Sequence, residues 1–205
     1  MPHMSDLPFV MYDTETTGPD PRFDAVLQFS AVYCDPDFNE LDHFDLRGRN
    51  PGHVLPGPVA LAVTNVDPNE IPKAPFSAYE FALEIHARLN TWAPAWFAGY
   101  NSIRFDEEIL RQTFWQALLN PYTTNTGGSR RLDFLKMVEA THALRGDVLN
   151  LRTNPETGNP ILKLETLAPD HGFGAFGAHD ALADVRATAY MARYLRDHAP
   201  LVFQG

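Results

Sequence analysis

The stretch VMYDTETTGPD, residues 10–20, places an unusual demand on any fold that contains it. Its apolar start reads as a buried strand. Its end carries Asp13 and Glu15 one residue apart, followed by Thr16, Thr17 and Gly18. Side chains alternate faces along a strand, so the two carboxylates point the same way. Held side by side they repel, and each resists leaving water alone. A bound divalent cation removes both penalties. A solvated acidic turn is the plainer account of a lone D-x-E, so the remainder of the chain must decide between them.

With 205 residues the chain is long enough for one sizeable core, and a single domain over 1–205 is expected. The first five residues are set aside as a disordered start or a leftover of expression. Apolar residues make up 44%, including 14 Phe and 3 Trp, which excludes a disordered chain. No apolar run approaches bilayer length, and the start lacks a basic segment leading into a hydrophobic one. No membrane association is expected. The lone cysteine, Cys34, excludes an internal disulfide and reads as a small buried hydrophobe in a reducing compartment. The expected location is therefore cytoplasmic.

The net charge of −10 argues against a polyanionic partner until its distribution is seen. Residues 1–100 hold 5 Lys and Arg against 14 Asp and Glu, whereas residues 101–205 hold 11 against 12. A phosphate-facing surface should therefore come from the second half, where Arg104, Arg111, Arg130, Arg131, Arg145 and Lys163 lie.

Three strand-like runs open the chain: LPFVMYDT, AVLQFSAVYCD and ELDHFDLRG. A Pro- and Gly-punctuated connection follows, with a short helix expected in its middle. SAYEFALEIHARLNTW has a helical pattern, with Ser77 as N-cap and Glu80 three residues on. AWFAGYN reads as a short buried strand, and FDEEILRQTFWQALL and LDFLKMVEATHALR as amphipathic helices. TTNTGGSRR between them reads as a loop. A short helix in LKLETLAPDHG and a long one in HDALADVRATAYMARYLRDH complete the chain. Strands first, then alternation with helices, predicts an α/β fold with a mixed central sheet flanked by helices.

Two further carboxylates sit where such folds gather polar sites. Asp106, in GYNSIRFDEEIL, follows a buried strand and opens a helix; alone it would be an ordinary first-turn acid. Asp184, in AHDALADV, lies inside the last helix, with His179 five residues earlier. Alone, these would be a solvated helix residue and a surface or capping histidine. Together, the four acids could share two hard cations such as Mg²⁺ or Mn²⁺, with His179 as a base. Two such ions about 3.5–4 Å apart clamp the attacking and leaving oxygens of a phosphoryl displacement. No C-x-x-C pair, H-E-x-x-H, P-loop or G-x-S-x-G competes.

YDTETTG, GYNSIRFDEEIL and AHDALADV resemble, in order, the three motifs of the DEDDh 3′→5′ exonucleases. Within that family the likeness is to the exonuclease domain of the bacterial exodeoxyribonuclease I group, and it runs over nearly the whole chain. The resemblance implies an RNase H-like fold and hydrolysis of single-stranded DNA from its 3′ end to 5′-mononucleotides. Asp13 then matches the acid that touches both ions, Glu15 and Asp184 the ligands of the water-activating ion, Asp106 the acid of the second, and His179 the general base. Thr16, Thr17 and Gly18 match the turn beside the 3′-terminal nucleotide, where close backbone approach would explain the glycine. Arg111, Tyr122 and Lys163 match strand-contacting positions, although Lys163 replaces an arginine and Glu139 falls where the family is basic.

Three alternatives keep the same chemistry or abandon it: a 3′→5′ exoribonuclease or oligoribonuclease, an RNase T-like enzyme, or a polymerase-associated proofreading module. RNA is thus an alternative partner, and tolerance of a 2′-hydroxyl is what separates the two substrates. The protein is expected to act as a monomer.

Overall fold

The computed structural model describes residues 6–64, 66–174 and 180–204. The three opening runs form β1 (Phe9–Thr16), β2 (Val26–Cys34) and β3 (Glu40–Arg47), paired antiparallel in sequence order. Two short strands extend the sheet on the other side of β1. These are β4 (Trp96–Gly99), parallel to β1, and β5 (Arg130–Asp133), parallel to β4. The order is β3-β2-β1-β4-β5, which makes β1 the central strand of a mixed sheet.

The helices are α1 (Pro58–Thr64), α2 (Ala78–Trp92), α3 (Asp106–Gln116), α4 (Phe134–Leu144), α5 (Leu164–Asp170), α6 (Ala181–His198) and α7 (Pro200–Gln204). Ser77 caps α2 as expected: its Oγ accepts from the Glu80 amide, and the Glu80 carboxylate accepts from the Ser77 amide. The short helix expected within residues 50–76 is α1. Three elements depart from the sequence reading: a single 3-10 turn, Thr123–Asn125, opens the expected loop TTNTGGSRR, and two more follow. The end of the loop TTNTGGSRR is strand β5, and α7 follows α6 after Ala199. Arg130 and Arg131 do not suggest a buried strand; β5 is held by its parallel ladder to β4, a pairing invisible to local pattern.

Alternation along β1 feeds two apolar cores. Phe9 and Met11 pack with Val32, Cys34, Phe134, Val138, Val185 and Met191 on the face covered by α4, α5, α6 and α7. Val10 and Tyr12 pack with Phe29, Ile85, Phe97, Ile109 and Phe114 on the face covered by α2 and α3. Cys34 is buried, and burial pushes its thiol up to about 12, so it packs as a hydrophobe.

Helix α6 is also pinned at the β3 edge. Arg186 holds Glu40 through two bonds of 3.0 and 2.8 Å, and Arg196 reaches Asp37 at 2.9 Å. Such half-exposed pairs stabilise by about 1 kcal/mol or less each. Their use is to fix where α6 lies.

Gly99, at the end of β4, lies where the backbone passes close to β1. A Cβ there would come within 2.7 Å of the Tyr12 carbonyl oxygen and of the Ser102 Cβ. From this point the chain leads directly into α3. Gly99→Ala is expected to destabilise the protein by roughly 1–3 kcal/mol, read as a lower urea midpoint at unchanged m-value. An unchanged midpoint would show that this approach is not needed.

Candidate active site

The row that starts with Phe9 and Met11 continues along β1 as Asp13 and Glu15, so both carboxylates face α6. On α6 the sheet-facing residues are Ala181, Val185 and Thr188, all buried, and Asp184 falls within that stripe. The strand and the helix therefore converge on one point. A carboxylate oxygen from each of Asp13, Glu15 and Asp184 lies within 4.8 Å of the others. Glu15 is buried and the other two are half-buried, unlike solvated surface acids. An all-oxygen donor set of this size suits a hard divalent cation.

Asp106 approaches from the opposite face. The β1–β4 ladder ends at the Met11–Ala98 pair. Beyond it the Thr14 amide donates to Asp106 Oδ1 at 3.0 Å, and Thr14 Oγ1 donates to the same oxygen at 2.6 Å. Thr14 shares the face of Val10 and Tyr12, against which α3 packs. The four expected ligands thus straddle the end of β1: three on the α6 side, and Asp106 on the α3 side, fully buried.

Their electrostatics follow from this packing. Burial, then the Asp106, Glu15 and Asp184 charges, holds the Asp13 carboxyl well above the usual carboxylate range. Burial, followed by the charges of Asp184, Asp106 and Asp180, pushes Glu15 up to about 8, with Arg47 opposing. Asp106 is also raised, chiefly by burial, against the lowering effect of its bonds from Thr14. Like charges out of water favour protons or a cation.

A cleft of about 580 Å³ opens beside the cluster, lined by Asp13, Asp184, Tyr100, Asn101, Glu139 and Lys163, among others. The Tyr100 hydroxyl donates to the Leu162 carbonyl and closes one wall. Lys163 is exposed, 3.3 Å from Glu165, and Glu139 pairs with Lys136 at 2.7 Å. Arg111 and Tyr122 line no part of this cleft. They meet each other, with the guanidinium 5.4 Å from the ring centre, and the ring is half exposed. In the turn after β1, Thr16 Oγ1 donates to the Gly18 carbonyl and Thr17 Oγ1 to Asp24. A Cβ on Gly18 would lie 2.5 Å from the Asp24 carboxylate and would push it away from its bonds with Thr17 and Asp20. His179 lies outside the described residues.

Sequence reasoning passed over three neighbours of the site. Thr14 looks like filler between two acids, yet strand alternation sends it to the face where Asp106 arrives. Glu107 looks like a first-turn acid and is 1% exposed. Asp180 looks like a helix cap, makes no capping bond, and acts on Glu15.

A mixed sheet with acids gathered at the end of its central strand defines an RNase H-like exonuclease fold, and the chain belongs to the exonuclease family: the family model described as Exonuclease matches residues 10–192. The particular relatives carry one name. Exodeoxyribonuclease I of Haemophilus influenzae is 34% identical over 203 residues, covering 98% of this chain and 42% of the relative. The crystal structure of E. coli exonuclease I in complex with a dA16 oligonucleotide matches with a TM-score of 0.91 at 32% identity, over 97% of this chain and 42% of that one. The zinc-bound form of the E. coli exonuclease I–ssDNA complex matches with a TM-score of 0.90 at 31% identity, over the same shares. The chain spans about two fifths of the length of these relatives. No helix among the described residues is long and apolar enough to cross a membrane.

The raised carboxyls make cation-free stability depend on pH. A group whose folded pKa lies above its unfolded value keeps extra protons in the native state, so its stabilising effect is complete below the ordinary carboxylate range. It is lost as pH rises, for Glu15 between 4.5 and about 8. In a chelator the melting temperature should therefore fall across that window. Added Mn²⁺ should raise it more at pH 8 than at pH 6, because cation and protons compete for the same oxygens. A cation effect independent of pH in scanning fluorimetry would contradict the assignment.

Proposed function

We propose that the chain is the catalytic unit of a 3′→5′ exodeoxyribonuclease that removes 5′-mononucleotides from single-stranded DNA. The observation that carries this is the meeting of the Asp13, Glu15 and Asp184 oxygens within 4.8 Å, with Asp106 across the same strand end. Membership of the exonuclease family and the ssDNA complexes of the relatives support the substrate.

Asp13, Glu15 and Asp184 would hold one divalent cation, Mg²⁺ or Mn²⁺, and Asp106 with Asp13 a second. Bound there, such ions supply charge neutralisation at the scissile phosphate and a lowered pKa for water. The residues do the remainder. His179 takes the proton of the attacking water as the new P–O bond forms and the P–O3′ bond breaks; the 3′-oxygen stays on the shortened strand and takes a proton from solvent, and the terminal nucleotide leaves as a 5′-monophosphate. The four carboxylates enter this step unable to share their pocket without compensating charge, so the site is organised around phosphate and cations and reads no base.

Lys163, at the mouth of the cleft, offers a single-point contact to a strand phosphate, and the Arg111–Tyr122 pair a surface on which a base can stack. Thr16, Thr17 and Gly18 line the approach to the terminal sugar.

The deciding test is cleavage of 5′-labelled DNA oligonucleotides with and without divalent cations, matched RNA running beside them. A cation-dependent ladder shortening from the 3′ end of DNA is expected; no cleavage, or shortening from the 5′ end, would overturn the reading. Asp13→Asn is expected to abolish that ladder while leaving the fold intact by circular dichroism. His179→Ala should lower kcat by about 10²–10⁴-fold, as for loss of a general base. Near-normal turnover in single-turnover kinetics of either variant would remove that residue from the mechanism.

A further inference from the structure

Helix α3 buries two consecutive acids, and only Asp106 has a part in the proposed chemistry. Glu107 is 1% exposed, while Glu108 in the same turn stands in solvent. An exposed acid would serve the helix dipole as well, so the burial needs another reason. A carboxylate out of water must be matched by donors, and Glu107 is. The Tyr12 hydroxyl donates to Glu107 Oε1 at 2.6 Å, and Thr124 Oγ1 donates to Oε2 at 3.0 Å. Arg131 Nη1 lies 3.3 Å from Oε2 and Arg111 Nε 3.7 Å away. Phe105, at the N-cap of α3, supplies no side-chain cap, so these bonds help to fix the first turn.

The partners are ordered along β1. Tyr12 and Thr14 point to the same face, two residues apart, and bond Glu107 and Asp106 respectively. The helix start is thereby held to the strand at two points. The Thr14 bonds reach a single oxygen of Asp106. The Tyr12 bond to the next residue adds a second point of attachment between the first turn of α3 and β1, on either side of Asp13 in the chain.

We infer that Glu107, through its bond from Tyr12, is a positioning residue that orients Asp106 for cation binding. The inference rests on the cation-dependent reading of the site. Glu107 touches neither cation nor substrate and acts only through Asp106.

Tyr12→Phe tests it cleanly, because the ring and its stacking on Phe29 are retained and only the hydroxyl is removed. Mn²⁺ affinity would be measured by titration calorimetry on the whole chain without DNA, in four proteins: unaltered, Tyr12→Phe, Asp106→Asn and the double variant. Tyr12→Phe is expected to weaken Mn²⁺ binding roughly tenfold, the low end for loss of a bond that orients a metal ligand. In the Asp106→Asn background it should change affinity by less than about twofold, because coupled residues are non-additive. Equal weakening in both backgrounds, or unchanged affinity in Tyr12→Phe, would overturn the inference. Should Tyr12→Phe not fold, Glu107→Gln and Glu107→Ala carry the same comparison. Gln keeps an acceptor for Tyr12 and should bind Mn²⁺ within about threefold of the unaltered protein, while Ala should lose about tenfold; equal losses would overturn it. If the unaltered protein binds no Mn²⁺, both this inference and the cation-dependent reading fall. If it binds Mn²⁺ and degrades DNA but the coupling is missing, only the positioning role falls.

Discussion

Four carboxylates around one strand end repel one another, and the protein is built to hold them there. Burial raises Asp13, Glu15 and Asp106; the charges of the other cluster acids add to this for Asp13 and Glu15, and that of Glu107 for Asp106. Locally, the Thr14 bonds to Asp106 and the charge of Arg47 offset part of this repulsion. The free energy comes from the two apolar cores on either face of the sheet, each extensive enough to oppose several kcal/mol of electrostatic penalty. The site is a cost that the fold carries, and a bound cation reverses its sign.

The central position of β1 is what lets one strand serve two helices. Odd-numbered residues at its end face α6 and meet Asp184; even-numbered ones face α3 and meet Asp106 and Glu107. Short β4 stops early and leaves the Thr14 amide without a ladder partner from that side, and Asp106 takes that place. On the α6 side the cluster opens into a cleft; on the α3 side it is sealed by packed side chains. Access is thus one-sided, with the surface pair Arg111–Tyr122 set apart from the cleft.

Much of this was legible in the amino-acid order, for physical reasons that differ by element. β1 to β3 announce themselves because their apolar runs are bounded by turn residues, and α2 because Ser77 and Glu80 form a capping box within four residues. Asp13 and Glu15 are legible as a pair because strand periodicity fixes their relative direction. β5 was not, since Arg130 and Arg131 carry no strand pattern and the element exists only by pairing with β4. A further reason for Gly18 was not legible: the Asp24 carboxylate, six residues on, fills the space a side chain would need.

By itself, then, the sequence determined which acids stand out as candidates, the alternation that aims Asp13 and Glu15 together, and the family to which their spacing belongs. The tertiary structure alone decided that Asp106 and Asp184 reach the same strand end from opposite faces, and that Glu107 is buried on a tyrosine 95 positions away. The division follows from range. Backbone periodicity acts between neighbours and is written in the order of residues, whereas the burial of a charge depends on which distant segment packs over it, and that is settled only when the cores close.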